Sequence, residues 1–294
     1  MTMKRTAGEK VFAVFNALIV AVAAITCILP FINTIAVSLS SNYYADGGMV
    51  GFWPKGFTAK SYSYLLQNAP FWTAFGVSLK RVGLGVALNM FITIITAYPL
   101  SKAREKLPSR GAYVWYFFVT MLFTGGLVPT YLLIQDLKLM NTIWALVLPS
   151  TVPIGNIVLL LNFFRHVPSE LEDAALIDGA GHFRTLFRIY VPCSLPAIAT
   201  LTLFCTVGHW NAWFDGLIYM NSVANYPLQS YLRTVIIDIN ALMTLNPDAS
   251  VIRDLSDRTL KCAQIIIATI PVLMVYPFLQ KYFISGLTLG SVKG

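Results

Sequence analysis

The stretch SELEDAALIDGAGHFRTLFRIYVPCSLP, residues 169–196, is the longest clearly amphipathic segment of the chain, and the rest is organised around it. Ser169 and Glu172 have the spacing of a capping box, which predicts a helix that begins at Ser169. Gly179 and Gly181 interrupt that helix. A second helical stretch follows, with apolar residues spaced i, i+3, i+4 and i+7 at Phe183, Leu186, Phe187 and Tyr190. The segment predicts a helix, a glycine elbow and a second helix on a membrane surface, the alternative being an ordinary interfacial loop.

Apolar runs of membrane-spanning length lie on both sides of this segment. The chain of 294 residues is 56% hydrophobic and 12% charged, and its mean hydropathy of +0.67 is too high for a soluble globular protein. A helix needs about 20 residues to cross the hydrocarbon core. Runs near that length occupy about 11–37, 82–100, 112–134, 143–164, 195–214 and 260–282. The sequence predicts an all-α integral membrane protein whose six spans form one domain, 1–294.

Basic residues are unevenly distributed between the two sides of such a membrane domain. The side that holds both termini and residues 165–194 carries 12 Lys and Arg, whereas the other side carries seven, with Lys80 and Arg81 at a boundary. Because positive loops stay in the cytoplasm, the termini and loop 165–194 are predicted to be cytoplasmic and the long loop 222–259 outside. The net charge of +8 therefore reflects orientation in a membrane rather than binding to nucleic acid.

Two of the runs allow a second interpretation. Ala21-Val22-Ala23 resembles a signal-peptide cleavage site, but the apolar run continues well past it, which favours a retained first span. In the fourth run, Pro149 and Pro153 precede Gly155 and Asn156. That pattern indicates either a plain proline kink or a broken helix. A broken helix frees backbone groups that lipid cannot satisfy, so it must face protein or a cavity.

The sequence contains no constellation typical of catalysis. It has no glycine-rich phosphate loop that ends in Lys-Ser/Thr, so ATP binding of the usual kind is not expected. The histidines lack the spacing of metal ligands; they are His166, His182 and His209. The cysteines are interpreted as small buried hydrophobes without a disulfide framework; they are Cys27, Cys193, Cys205 and Cys262. A membrane enzyme that uses His209 with Asp215 is an alternative that lacks a nucleophile, a second base and a metal.

Polar and aromatic residues cluster late in the fifth run, which reads GHWNAWFD at 208–215. Polar groups inside a span usually face the bundle interior or a water-filled path. Aromatic faces beside amide, imidazole and carboxylate groups suit a sugar, although an aromatic belt at the outer interface is the alternative for Trp213. The predicted pathway residues are His209, Trp210, Asn211, Trp213 and Asp215, with Asn89 of the second run and Asn156 of the fourth.

The amphipathic segment resembles the EAA loop of importer permeases of the ABC (ATP-binding cassette) superfamily. The family pattern is Glu-Ala-Ala, x3, Gly, x9, Ile, x, Leu-Pro. The corresponding residues here are Asp173-Ala174-Ala175, Gly179, Ile189 and Val191-Pro192, at the same spacing throughout. Asp173 replaces the family's Glu and Val191 its Leu, and both changes are conservative.

This resemblance implies the type I importer permease fold, with six transmembrane helices and a cytoplasmic coupling helix that seats on an ATPase. It also implies a sister permease in a heterodimer, two ATP-binding cassette subunits, and a periplasmic or surface solute-binding protein. ATP and Mg would then be bound by the partner subunits, and this chain would need no cofactor. The implied coupling residues are Glu172, Asp173, Ala174, Ala175, Asp178, Gly179 and Ala180.

The cargo implied by the resemblance is an oligosaccharide. GGLVPTYLLI (125–134), NTIWALVLP (141–149) and the ending YPFLQKYF (276–283) with GSVKG are similar to the carbohydrate branch, closest to permeases for complex and uronate-containing oligosaccharides such as alginate. Positive charge at Lys80, Arg81 and Arg233 would favour such an anion. Interface anchoring is the alternative role for these residues, and neutral oligosaccharides or another solute are the alternative cargo.

Overall fold

The computed structural model describes residues 6–234 and 256–291, and these residues form helices and connections with no strand among them. The chain divides into two compact units, Met1–Asn68 with Thr234–Thr269, and Ala69–Arg233 with Ile270–Gly294. The prediction of an all-α fold is therefore confirmed for the residues described.

The first unit contains three helices and the beginning of the last one. These are α1 (Ala7–Ser38), α2 (Asn42–Asp46), α3 (Lys60–Gln67) and the start of α14 (Asp257–Ser291). Helix α1 begins with a capping box in which Thr6 and Glu9 satisfy each other's backbone N–H groups. No residue in its most apolar window is buried. Such a surface suits lipid or a partner protein far better than water.

The second unit is arranged around one long helix, α4 (Ala69–Ser101). The other helices are α5 (Arg110–Leu122), α6 (Leu127–Asp136), α7 (Ile143–Val147), α8 (Ile154–Arg165), α9 (Ser169–Ile177), α10 (His182–Thr185), α11 (Val191–Cys193), α12 (Leu195–Asn211) and α13 (Phe214–Tyr219). Helix α4 packs most extensively against α8 and α12, and the main apolar core lies among these three.

The number of helices long and apolar enough to cross a membrane depends on how the bent helices are counted. Three are single helices among the described residues, and three more arise if each bent helix pair counts as one span. The pairs bend by 110° between α5 and α6, by 49° at the start of α8, and by 85° at the start of α12. The run expected as one span over 112–134 is thus two helices, and the chain turns between them at Gly126, whose φ is +85°.

The fourth run is a broken helix and not a plain proline kink. Helix α7 passes into a 3₁₀ turn at Leu148–Ser150, and α8 starts only at Ile154, after Pro153. The side-chain amide of Asn89, on α4, donates a hydrogen bond of 2.6 Å to the carbonyl oxygen of Ser150. A backbone group freed by the break is therefore satisfied by protein, as a broken span requires.

Helix α9 begins at Ser169 as predicted, but the predicted capping box is wrong. Pro168 is the N-cap residue, and no side chain caps the helix. Glu172 turns inward, where Tyr190 and Lys102 bind its carboxylate. The local spacing fits a capping box, but a tertiary contact takes the carboxylate instead.

The predicted glycine elbow is present and has a defined geometry. Gly179 has φ +74° and no other atom lies within 4 Å of the place its Cβ would take. The N–H of Ala180 donates to the carbonyl of Ala175 at 2.9 Å, and the N–H of Gly179 donates to that of Leu176 at 3.1 Å. These two bonds form a Schellman motif, which requires the left-handed conformation that glycine adopts most cheaply.

The second helical stretch is less regular than its spacing predicts. Helix α10 passes into a π-helical turn at Leu186–Tyr190 before α11. Leu186 and Tyr190 are buried in the core, whereas Phe183 and Phe187 are exposed. A π turn holds more residues than an α turn, which changes the face that each residue occupies. Only two of the four residues predicted to share one apolar face are therefore buried together.

Candidate functional site

The break between α7 and α8 opens onto a cavity of about 480 Å³ within the second unit, lined by polar as well as apolar side chains. Helices α4, α12 and α13 form its other walls. Ligand pockets usually measure about 300–1,000 Å³, so this volume is in the range for a small ligand or part of a larger one. The polar side chains that line it include those of Arg81, Asn89, Ser150, Asn156, His209, Asp215 and Tyr219.

One wall of the cavity is a chain of hydrogen bonds between buried groups. His209 Nε2 donates to Asn89 Oδ1 at 2.7 Å, and Asn89 in turn holds the Ser150 carbonyl. A Cβ at Gly85 would lie 2.4 Å from His209 Nε2, so only glycine permits the His209 ring to lie this close to α4. The wall is thus fixed by side chains from α4 and α12 and by the backbone of the broken helix.

A second wall contains a buried ion pair. The guanidinium of Arg81 binds both carboxylate oxygens of Asp215, one of them from Nη1 at 3.0 Å. Arg81 is 3% exposed, whereas Asp215 is 27% exposed. Arg81 was expected at the outer edge of a span that begins at residue 82, where its charge would attract an anion. Because α4 begins at Ala69, Arg81 lies inside the helix and its charge is neutralised.

The cavity brings together four of the seven predicted pathway residues, namely Asn89, Asn156, His209 and Asp215. The Asn156 amide donates to the buried sulfur of Cys205 at 3.2 Å.

The other three predicted residues lie outside the cavity lining. Trp210 is buried and packs edge-on against Phe75, and Asn211 is exposed. Trp213 lies beneath the guanidinium of Arg233, which is 3.6 Å from the centre of its ring. Any role for these three in the pathway stays a prediction.

At the far end of α4, a second buried ion pair joins this helix to α9. Lys102 Nζ lies 3.0 Å from Glu172 Oε2, and their side chains are 9% and 5% exposed. The ammonium is also 3.9 Å from the ring centre of Tyr98 and 4.0 Å from that of Tyr190, which gives two cation–π contacts. The Tyr190 hydroxyl donates to Glu172 Oε2 at 2.8 Å. The predicted coupling helix is thus fixed to the helix that lines the cavity.

The environment shifts the pKa of both members of this pair. Burial lowers the pKa of Lys102, although Glu172 partly opposes that effect. Burial alone would raise the pKa of Glu172, but the hydrogen bonds from Lys102 and Tyr190 outweigh it and hold this pKa below its usual range. Glu172 is therefore a charged carboxylate at neutral pH, held by its partners.

The remaining predicted coupling residues form an accessible surface at the end of α9. Asp173, Ala174, Asp178 and Gly179 are exposed, and Ala175 and Ala180 are partly so. Ile177 is 86% exposed beside them. Lys106 Nζ lies 3.2 Å from Asp173 Oδ1. A surface of small, acidic and apolar groups around a tight turn is suited to seat in a groove of a partner protein.

Sequence reasoning missed the groups that fix these two sites. Lys102 and Tyr98 carry no local motif, and Tyr190 was predicted only as an apolar residue. One signal was available for Arg81, because an ionisable residue within an apolar helix marks a functional position. The predicted start of the second span at residue 82 placed Arg81 outside the helix and hid that signal.

Metal and thiol chemistry find no support in the residues that the structure describes. Over 6–234 and 256–291, no group of three or more His, Cys, Asp or Glu side chains is placed to hold a metal ion. All four cysteines are free. Cys205 is buried, but Cys27 and Cys193 are exposed, so the expectation that all are buried is wrong for these two.

Comparisons with known proteins agree with this architecture. Residues 86–288 match the family described as binding-protein-dependent transport system inner membrane component. The chain is 40% identical to Protein LplC of Bacillus subtilis (strain 168) over 293 residues, which cover 100% of this chain and 98% of that one. It is 38% identical to the polygalacturonan/rhamnogalacturonan transport system permease protein YtcP of the same organism, over 92% of this chain and 94% of that one.

A solved structure is also similar along almost the whole chain. It is described as the crystal structure of a bacterial ABC transporter involved in the import of the acidic polysaccharide alginate. The TM-score is 0.83 at 28% identity, and the match covers 96% of this chain and 100% of that chain.

Proposed function

The chain belongs to the family of binding-protein-dependent transport system inner membrane components, and we propose that its cargo is an acidic oligosaccharide. As a member of this family it is a sugar permease of an ABC importer, integral to the inner membrane, and it works with a solute-binding protein. Permeases of this family are not enzymes. Within that function, uronate chains such as alginate fragments are the proposed cargo ahead of neutral sugars.

The proposed assembly contains three further kinds of component. A sister permease completes a heterodimeric membrane domain, two ATPase subunits bind ATP and Mg on the cytoplasmic side, and the solute-binding protein delivers sugar from outside. Both termini and the α9 elbow are then cytoplasmic. The outer loop 222–259 would reach the docked binding protein, although its residues 235–255 lie outside those the structure describes.

The proposed coupling mechanism uses α9 as the element that moves with the ATPase. Its exposed turn around Gly179 would seat in a groove of the ATPase, and ATP-driven closure would carry it along. Because the pair of Glu172 and Lys102 fixes α9 to α4, that movement is passed to the helix that carries Arg81 and Asn89. The spans then rock as rigid bodies between inward-facing and outward-facing states.

The observation that carries the transport pathway is the broken helix beside a polar cavity. Irregular backbone at membrane depth is tolerated where it is buried in protein or lines a wet cavity. Here the turn at Leu148–Ser150 lines the 480 Å³ space, and the Asn89 amide binds the carbonyl oxygen of Ser150. Amide, imidazole and carboxylate groups around this space are suited to sugar hydroxyls.

The acidic nature of the cargo is supported by what the similar proteins are described as handling, polygalacturonan with rhamnogalacturonan and alginate. Electrostatic steering by free surface cations supports it less than the sequence suggests. Arg81 is paired, which leaves exposed Lys80 and Arg233 to attract an anion. Their effect would weaken as salt rises, because the Debye length is about 8 Å at physiological ionic strength.

The test is uptake by the complete complex in proteoliposomes. Co-purification of a second permease and an ATPase comes first. Uptake of a labelled uronate oligosaccharide is then compared with that of a neutral oligosaccharide of the same length, with the binding protein present. Faster uptake of the uronate chain is expected. Uptake of the neutral chain alone would end the acidic-cargo proposal and make a neutral oligosaccharide the cargo.

Orientation is tested separately by labelling single cysteines in a background without the four native ones. Cysteines at Gly56 and Asn225 should react with an impermeant reagent from outside, and one at Ser109 should not. Reversed labelling would contradict the cytoplasmic position of α9 and with it the coupling mechanism.

A further inference from the structure

We propose that Arg81 binds the carboxylate of the transported sugar and that Asp215 occupies this position on the guanidinium when no substrate is present. This inference rests on the proposed function, since it names the group that recognises an acidic cargo. It assigns the pair a role in selecting substrate rather than in holding the fold alone.

The geometry of the pair is that of carboxylate recognition. Arg81 uses both terminal nitrogens on the two oxygens of Asp215, the bidentate arrangement that a guanidinium makes with any carboxylate. Its Nη1 also reaches the Ala212 carbonyl oxygen at 3.4 Å, while its buried Nε has no hydrogen-bond partner. Arg81 therefore has donor capacity beyond what Asp215 uses.

The two partners differ in how firmly they are held. Arg81 is buried in the middle of α4, whereas Asp215 is 27% exposed and lies on the short helix α13, after the chain breaks at Ala212 and Trp213. Asp215 also accepts the backbone N–H of Gly216 at 2.9 Å. Its carboxylate thus keeps a donor if Arg81 releases it, and it can turn toward the open cavity. Arg81 would keep only the Ala212 carbonyl oxygen, which carries no charge to balance its own.

Exchange of one carboxylate for another is the step that this asymmetry permits. A buried guanidinium left without a partner is strongly unfavourable, so Arg81 releases Asp215 only when another anion replaces it. A uronate carboxylate does so, and the amide and imidazole groups of Asn89, Asn156 and His209 remain for its hydroxyls. A neutral sugar has no carboxylate to replace Asp215, so the ion pair of Arg81 and Asp215 stays intact. Sites built around a polar group of the substrate reject analogues that lack it.

The experiment compares a uronate oligosaccharide with its methyl ester, which has the same rings and linkages but no charge. ATPase stimulation and uptake are measured for the reconstituted complex with its binding protein, at moderate salt. The key variant is Arg81→Gln with Asp215→Asn, which removes both charges and keeps hydrogen-bonding groups of similar size. The ratio of the acid response to the ester response should fall about 10- to 100-fold, the size expected for lost charge-assisted hydrogen bonds.

A control and a second variant make the result specific. Lys80→Gln removes the same charge from the neighbouring, exposed residue, and at moderate salt it should lower the ratio far less than the double variant, because salt screens exposed charges. Asp215→Asn alone removes the internal competitor and should lower the half-saturating concentration of the acid. If this variant does not assemble, the double variant decides the question.

The possible outcomes separate this inference from the function on which it rests. An unchanged acid-to-ester ratio in the double variant, or an equal loss of both responses, would overturn the role of Arg81 and leave acidic import standing. A wild-type complex that responds only to the neutral ester would overturn acidic import, and the role of Arg81 with it.

Discussion

Two buried cations, Arg81 on helix α4 and Lys102 directly after its last residue, are paired with carboxylates in different ways. Lys102 is enclosed by the rings of Tyr98 and Tyr190 and by Glu172, and both charged partners are buried. Arg81 is equally buried, but its partner Asp215 faces an open cavity. The first pair fixes one helix to another, whereas the second is the one that we propose exchanges its carboxylate. Helix α4 thus lies between a fixed contact near the proposed ATPase-coupling surface and a proposed exchangeable contact in the proposed sugar pathway.

The largest expected effect is on stability at the enclosed pair. Lys102→Met leaves Glu172 as a buried carboxylate without its main cation, and such a loss costs about 3–5 kcal/mol. Denaturant unfolding of the purified complex in detergent measures this change. Lys106→Met is the matched control, because the Lys106 side chain is 45% exposed and its ion pairs should contribute only about 0–1 kcal/mol. Equal losses of stability in the two variants would show that the Lys102–Glu172 pair does not fix α9 to α4.

A smaller loss is expected at the open pair. Arg81→Met leaves Asp215 with the Gly216 N–H and with access to a cavity of 480 Å³, which has room for water. The cost should therefore be about 1–3 kcal/mol, below that of Lys102→Met measured in the same way. If Arg81→Met were more destabilising than Lys102→Met, the Arg81–Asp215 pair would be the one that holds the fold, which contradicts its proposed exchange.

The smallest change in stability, but a specific loss of coupling, is expected at the elbow. Gly179→Glu forces a side chain into the left-handed conformation at about 1–2 kcal/mol. It also places a bulky charge on the exposed turn. The complex should still assemble and hydrolyse ATP, while sugar uptake stops.

Gly181→Glu is the control for this third test. Gly181 has an ordinary φ of −71°, and no atom lies within 4 Å of the place its Cβ would take. The same charge is therefore added two residues away without backbone strain, and uptake should fall less than in Gly179→Glu. Normal uptake by well-expressed Gly179→Glu would count against a coupling role for the turn.

Some local features were predictable because short-range physics sets them. The start of α9 at Ser169 and the turn at Gly179 follow from propensity and from the conformations open to glycine. The break after Pro149 and Pro153 follows from the missing N–H groups of proline. The inward turn of Glu172 could not be predicted, because the spacing S-x-x-E fits a cap equally well. Lys102, a distant residue in the sequence, decides between the two.

The sequence by itself therefore determined the class of protein and its family. Six apolar runs, the excess of basic residues on one side and the spacing of the segment at 169–196 are all local properties, readable without knowing which helices touch. Only the tertiary structure decided which charges meet. Arg81 and Asp215 are 134 residues apart, and Asn89 and His209 are 120 apart. Such pairs depend on how α4 packs against α12 and α13, and packing is a property of the whole unit that no short stretch of sequence encodes.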